Sequence, residues 1–236
     1  MTTEAGPILE LSDVSKGYGG LRPLRIASLV VQSGEHIAIL GLDQPAAEAF
    51  VNLVTGAALP DRGEVRLFGR STATITDSAD WLAVVDRFGI VSPRAVLLDA
   101  LTVVQNLAMP FTLEIEPPAE DIRTRALSLA RRAGLDDTVL DRPVAELGPA
   151  SLARVRLGRA LALEPTVVIL EHPTAGLPPG EAAEFAVHCR RVPAAAIALT
   201  ADAAFARAMT ARSLTLDPAT GRLSGRSGWF SRIQRG

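Results

Sequence analysis

Lysine and cysteine, two residue types that often perform chemistry, each occur once in this 236-residue sequence. The only lysine is Lys16, so any reaction that needs a lysine away from the N-terminus is excluded. The only cysteine, Cys189, follows His188 and could form a metal pair with it. Neighbouring residues on a helix point about 100° apart, so we expect no metal site there. A lone cysteine also excludes an internal disulfide framework and favours a reducing, cytoplasmic location.

The composition is that of an ordered globular protein and gives no sign of a nucleic-acid partner. Hydrophobic residues make up 48% of the chain, charged residues make up 21%, and the formal net charge is -2. No global basic field is present, and the arginines are scattered among acids. The first seven residues do not resemble a signal peptide, and no apolar run has the roughly 18 residues of a membrane span. We therefore expect a protein that is neither secreted nor threaded through a bilayer.

Extended, alternating segments dominate the first 70 residues. They predict strands over residues 8–14, 26–31 and 64–68, a buried strand over 36–41, and a helix over 45–53 that closes near Gly56. Later residues predict helices over 121–133, 151–163, 180–191 and 203–211, with strands over 166–170, 194–199 and 213–216. Alternating strands and helices indicate crossover units and a parallel sheet. The basic tail, about 222–236, is interpreted as a mobile end, with a peripheral membrane or partner contact as the alternative.

Several short segments, in this order and spacing, resemble the nucleotide-binding domain of ATP-binding-cassette (ABC) transporters over about residues 8–223. The segments are VSKGYGG at 14–20, SGE at 33–35, PDRGEV at 60–65 with Gly69, LTV at 101–103 with Asn106, Glu146-Leu147, Arg154-Val155, Arg159-Ala160-Leu161, Pro165, and PTAGL at 173–177. The resemblance implies an α/β fold of the RecA-like P-loop NTPase type. Its mainly parallel sheet would carry an N-terminal antiparallel β subdomain and an inserted helical subdomain over about 93–165. The whole chain, 1–236, is predicted to be one such domain.

The segment that resembles the family's phosphate loop departs from it. A loop of the form G-x-x-x-x-G-K-S/T cradles phosphates with backbone N–H groups, a lysine and a magnesium-binding hydroxyl. Here Gly41 keeps the first glycine, and Tyr18 is implied to stack on adenine, although a tyrosine beside glycines is equally a loop anchor. The remaining positions hold residues unsuited to phosphate, and Pro45 also lacks an N–H donor. Ala46, Ala47 and Glu48 stand where the second glycine, the lysine and the hydroxyl belong.

Two carboxylates, Asp43 and Glu48, would face an incoming triphosphate. Like charges about 4 Å apart cost about 1 kcal/mol in water and about 4 kcal/mol at a partly buried site. One interpretation is that the helix beginning near Pro45 caps itself, so that a protein carboxylate replaces the phosphate. The alternative is an ordinary polar turn. In both cases we expect an acidic, lysine-free pocket that disfavours polyphosphates.

The other implied site positions also depart from the family. The magnesium-ordering aspartate and the water-polarising glutamate correspond to Glu171 and His172, which could still hold a metal and act as a base. Without a phosphate loop beside them, we interpret both as vestigial, and His172 as a loop histidine. The signature segment, 147–151, reads LGPAS, with proline and alanine where flexible glycines are needed. The family's glutamine that senses magnesium and the permease would fall near Pro93, and its switch histidine near Ala201. Pro178 stands where the family has an aspartate.

These departures favour a catalytically degenerate subunit, a pseudo-ATPase with a structural or regulatory role in a transporter complex. We expect no resident cofactor and no metal. The resemblance implies a membrane permease subunit and an intact ABC ATPase as partners, allows dimerisation, and places the chain in the cytoplasm or on the inner face of the cell membrane. One alternative is an ATP-binding, slowly hydrolysing ATPase that uses ATP and Mg²⁺. The other is a soluble interaction scaffold outside transport.

Overall fold

The computed structural model describes residues 6–225 and contains two sheets. The smaller sheet is antiparallel, with strand order β2-β1-β4-β5. Alternating apolar residues of β1 and β2 turn to one face of this sheet and form part of the core. The strands are β1 (Leu9–Lys16), β2 (Leu24–Val31), β4 (Arg62–Leu67) and β5 (Arg70–Ser71).

The larger sheet is mainly parallel, with strand order β10-β9-β3-β8-β7-β6. Strands β7 and β8 are fully buried, as expected for apolar strands covered on both faces. Only the β9–β10 pair is antiparallel. The strands are β3 (His36–Leu40), β6 (Phe88–Val91), β7 (Val167–Glu171), β8 (Ala195–Leu199), β9 (Arg212–Leu216) and β10 (Leu223–Gly225).

Three of the helices form a unit inserted between the parallel neighbours β6 and β7. This helical unit consists of α3, α4 and α5, which pack on one another through a shared apolar cluster. The helix bounds are α1 (Gln44–Val54), α2 (Ser78–Val85), α3 (Val103–Ala108), α4 (Glu120–Ala133), α5 (Pro149–Ala160), α6 (Pro179–Arg190) and α7 (Ala203–Met209). No helix among residues 6–225 has the length and apolar character needed to cross a membrane.

Two apolar clusters hold these layers together. The first joins the helical unit to α6, α7 and one face of the parallel sheet. The second joins the antiparallel sheet and α1 to the other face of the parallel sheet, with Phe50 of α1 completely buried. Helix α1 is therefore fixed between the two sheets, and its first turn lies at the carboxyl end of β3.

The fold class predicted from the sequence is confirmed: a mainly parallel sheet, a separate antiparallel sheet and an inserted helical unit. Predicted bounds differ from the structure at several elements; the helix predicted over 203–211, for example, ends at Met209. The helix predicted over 151–163 begins at Pro149 and ends at Ala160, because proline suits the first helical turn. In the tail, Leu223–Gly225 is a strand paired with β9, since its backbone groups complete the sheet edge. Residues 226–236 of the predicted tail lie outside the described residues.

Candidate functional site

The loop between β3 and α1 begins with a glycine that the fold requires. Gly41 has φ +94°, and a Cβ at this position would lie 2.9 Å from the carbonyl oxygen of Leu216 in β9. A side chain would therefore collide with backbone and strain the left-handed conformation. The close approach of two strands accounts for this glycine without any bound phosphate.

The N-terminus of α1 is capped by a protein carboxylate. An Oδ1 atom of Asp43 accepts a hydrogen bond from the Ala46 N–H at 2.9 Å. The Ala47 N–H donates to the Asp43 carbonyl oxygen at 2.9 Å, and Pro45 has no N–H. These contacts show that the Asp43 side chain caps α1. The N–H groups of residues 45–47 are thus absent or already paired within the chain.

The position implied for a phosphate-binding lysine is part of the core. The Ala47 side chain is 0% exposed and packs with Phe50 in the cluster beneath the antiparallel sheet. Ala46 is also buried. Both residues therefore belong to the buried face of α1.

A buried carboxylate at the end of β7 is the centre of a polar network. Glu171 is 0% exposed. One of its oxygens, Oε2, accepts a hydrogen bond from Arg94 at 2.9 Å, and the other, Oε1, accepts a short one from the Gln44 amide. The guanidinium of Arg94 also contacts Glu48, with an N–O distance of 2.5 Å. A single guanidinium therefore bridges two carboxylates, one from β7 and one from α1.

The topology explains how Arg94 reaches this site. Strands β6 and β7 are parallel neighbours, with Val91 opposite Leu170, so their carboxyl ends share one edge of the sheet. Arg94 lies three residues after β6, and its N–H donates to the Ser92 hydroxyl at 3.1 Å. Its hydrogen bond to Glu171 is the main cause that raises the pKa of the Arg94 guanidinium above its usual value.

Arg94 corrects the expectation of a purely acidic pocket. The sequence prediction placed Asp43 and Glu48 as two unopposed carboxylates, but Asp43 caps α1 and Glu48 contacts Arg94. The signal for Arg94 was present in the sequence, because it is a basic residue directly after Pro93, where the resemblance implied a polar glutamine. Only strand order could show that it meets Glu171.

The second implied catalytic residue, His172, begins a turn beside Glu171. Its φ of +42° is unusual for a residue with a side chain, and its N–H donates to the Leu199 carbonyl oxygen at 2.8 Å. The Nε2 atom is buried and has no hydrogen-bond partner among residues 6–225. It borders a cavity of about 100 Å³ that is also lined by Ser92 and Arg156. Backbone contacts thus hold the turn at His172.

A second cavity, of about 350 Å³, lies between the β1–β2 loop and α1. Tyr18 lines it and also packs against the core. The lone lysine, Lys16, lines the same cavity together with Glu48 and Asn52. The Lys16 ammonium contacts Asp61 at 2.9 Å. This contact and the Gly17 N–H, which is the larger cause, lower the pKa of the Asp61 carboxyl.

The other departing positions serve as local caps. Gly148 is the N-cap of α5 without a side-chain hydrogen bond, and Pro149 is in its first turn. Pro178 occupies the N-cap of α6. Asp202, next to Ala201, caps α7 by accepting hydrogen bonds from two backbone N–H groups at 2.9 Å. Each segment therefore has a structural role in starting a helix.

The side chains of Cys189 and His188 point in different directions, as predicted from their neighbouring positions on a helix. Cys189 is buried in the core, and burial raises the pKa of its thiol. The His188 ring instead faces Gly134, the left-handed residue that ends α4. Burial, assisted by Arg154 and Arg191, lowers the pKa of His188.

The residues present do not fit a magnesium triphosphate. No side chain at the start of α1 offers a positive charge to phosphates, and both oxygens of Glu171 already accept hydrogen bonds from Gln44 and Arg94. Across residues 6–225, no three His, Cys, Asp or Glu side chains group as a metal ion would require.

Comparison with known proteins finds relatives of this chain among transport proteins. A family model described as "ABC transporter" matches residues 24–175. The methionine import ATP-binding protein MetN of Brucella suis biovar 1 is 33% identical over 175 residues, which cover 74% of this chain and 47% of that protein. The lipoprotein-releasing system ATP-binding protein LolD of Saccharophagus degradans is 30% identical, covering 72% of this chain and 76% of LolD. The chain spans about half the length of the MetN relatives that it matches.

Solved structures show the same fold. The cbiO1 protein of Clostridium perfringens, described as part of the ABC transporter complex cbiONQ, superposes with a TM-score of 0.77 at 22% identity. That superposition covers 93% of this chain and 87% of cbiO1. The ATP-binding cassette MJ0796, in a dimer bound to ADP and Pi, gives a TM-score of 0.74 at 21% identity, covering 94% of this chain and all of MJ0796.

Proposed function

Because this chain belongs to the ABC transporter family of nucleotide-binding domains, we propose that it is a catalytically degenerate member of that family. Its role would be structural or regulatory, within a membrane transporter complex. The observation that carries the proposal is the state of α1: Asp43 caps its first turn, and Ala47 is buried where a phosphate-binding lysine would project. A triphosphate would need the Ala46 N–H group, and it would have to displace the Asp43 carboxylate to reach it.

Electrostatics point in the same direction. Removing the lysine takes away the group that reaches the β and γ phosphates, and a carboxylate at residue 48 replaces a magnesium-binding hydroxyl. We infer that Glu171 and His172 are vestigial, that Tyr18 and Gly41 act as a loop anchor and a strand contact, and that neither ATP nor Mg²⁺ is a resident cofactor. Residues 1–236 would form one ABC ATPase-like domain.

The proposed partners follow from the relatives. MetN and LolD are named as ATP-binding proteins of a methionine import and a lipoprotein-releasing system. We propose that this chain likewise contacts a membrane permease subunit, on the cytoplasmic face, and pairs with an intact ABC ATPase or a second copy of itself. A genomic neighbourhood that encodes a multi-span permease and an intact cassette ATPase would support this placement. Its absence would favour an interaction scaffold outside transport.

One observation favours the alternative of a slow, ATP-binding ATPase. The cavity of about 350 Å³ beside α1 is lined by the aromatic ring of Tyr18, which could contact a nucleobase. The alternative predicts ATP turnover that disappears when Glu171 and His172 are both replaced. The proposed function predicts no turnover above that of a buffer blank, in the wild-type protein and the double variant alike.

A variant with a restored loop provides the converse test. Pro45→Ser, Ala46→Gly, Ala47→Lys and Glu48→Ser together recreate the G-x-x-x-x-G-K-S pattern. If the loop alone was lost, the folded variant binds ATP and the wild-type protein does not. Equal binding by both proteins would contradict the proposed function.

A further inference from the structure

The proposed function gives no role to Arg94, although this residue lies at the centre of the site. Its side chain is 45% exposed, yet its guanidinium turns inward to Glu171, which is completely buried. A carboxylate at that depth is costly to desolvate without a partner. The Arg94 guanidinium is the cation that contacts Glu171 in the structure.

We propose that Arg94 is an internal cation that closes this site to divalent metal ions. The guanidinium contacts Glu171 at 2.9 Å and Glu48 at 2.5 Å, while the Gln44 amide contacts the other Glu171 oxygen. The carboxylates of Glu171 and Glu48 are hard oxygen ligands of the kind that Mg²⁺ and Mn²⁺ prefer. With Arg94 between them, an incoming metal ion meets a positive charge at the centre of its own ligand set.

The same contacts give Arg94 a positioning role. Arg94 belongs to the connection between β6 and the helical unit, whereas Glu171 and Glu48 belong to β7 and α1. The guanidinium fork holds this connection against the parallel sheet without any ligand. The start of the helical unit is therefore fixed by a charge within the chain.

The test is a titration of the full chain with Mn²⁺, in which electron paramagnetic resonance measures the concentration of the free ion. The variant is Arg94→Gln, which removes the charge but keeps an amide that can donate to Glu171, so that folding is preserved. We expect no saturable Mn²⁺ binding by the wild-type protein. We expect saturable Mn²⁺ binding by Arg94→Gln, at least about tenfold tighter than the weakest binding that the assay detects, because no positive side chain then repels the metal ion.

Two controls make the result specific. Arg212→Gln removes another partly exposed guanidinium from a carboxylate, Glu35 at 2.6 Å, and should leave Mn²⁺ binding unchanged. Arg94→Gln combined with Glu171→Gln removes the central ligand and should abolish the new binding. Circular dichroism establishes that each variant is folded.

The inference is overturned if the wild-type protein binds Mn²⁺ as tightly as Arg94→Gln does. It is equally overturned if folded Arg94→Gln binds no Mn²⁺, or if Arg212→Gln gains the same binding. The inference rests on the proposed function for its premise that no magnesium triphosphate occupies the site. Its test uses Mn²⁺ alone, so a failure here is distinct from a finding that the wild-type protein binds ATP.

Discussion

The ion pair between Arg94 and Glu171 should couple their contributions to stability. The perturbation is Arg94→Met, which keeps much of the side-chain stem and removes the charge. Removing one partner of a fully buried pair costs about 3–5 kcal/mol. Arg94 is about half exposed, so solvent screens part of the loss, and we expect a decrease of about 2–3 kcal/mol in the free energy of unfolding.

A double-mutant cycle separates the pair from its surroundings. Glu171→Gln removes the buried charge that Arg94→Met leaves uncompensated, so the double variant should be more stable than the sum of the single losses predicts. We expect a coupling energy of about 1–3 kcal/mol. Urea unfolding followed by far-ultraviolet circular dichroism measures all four proteins.

A matched cycle at Arg212 and Glu35, a pair with both side chains partly exposed, should give a smaller coupling. Additive losses at Arg94 and Glu171, within about 0.5 kcal/mol, would refute the assignment of Arg94 as the partner of a buried charge.

Three further predictions concern the elements around the site. Asp43→Ala removes the cap of α1 and should lower the free energy of unfolding by about 1 kcal/mol in urea titrations, while Asp43→Asn should lower it less; equal losses would argue against capping. Gly134→Ala places a methyl group against the His188 ring at φ +78° and should cost at least about 1–2 kcal/mol, seen as a lower thermal midpoint; no change would contradict the described packing. Because the folded state lowers the pKa of His188, the unfolded chain takes up its proton first as the pH falls below about 6.5, so stability should decrease there. Replacing His188 with Asn should flatten the pH dependence between about pH 7 and 5, and an unchanged slope would contradict it.

Local features of the fold were predictable because each depends on a short stretch of sequence. The sequence predicted that α1 starts near Pro45, after a polar break. The structure agrees, because Asp43 is the N-cap of α1. Gly134 predicted the end of α4, and the apolar run before Glu171 predicted a fully buried strand. The physical causes, capping and alternation of side chains, act within one or two turns of chain.

The polar contacts of the site could not be predicted in the same way. Arg94 meets Glu171 across 77 residues of sequence, only because β6 lies beside β7 in the sheet. Lys16 reaches the cavity beside α1 because the β1–β2 loop folds over that helix. In both cases the positive charge comes from a segment that is distant from α1 in the sequence. Strand order decided these contacts, and no local pattern encodes it.

The central claim is that the start of α1 does not bind a nucleoside triphosphate. Isothermal titration of the purified wild-type chain with ATP in excess Mg²⁺ tests it most directly. The proposed function predicts no saturable heat at millimolar nucleotide, and saturable binding with a low-micromolar Kd would overturn it.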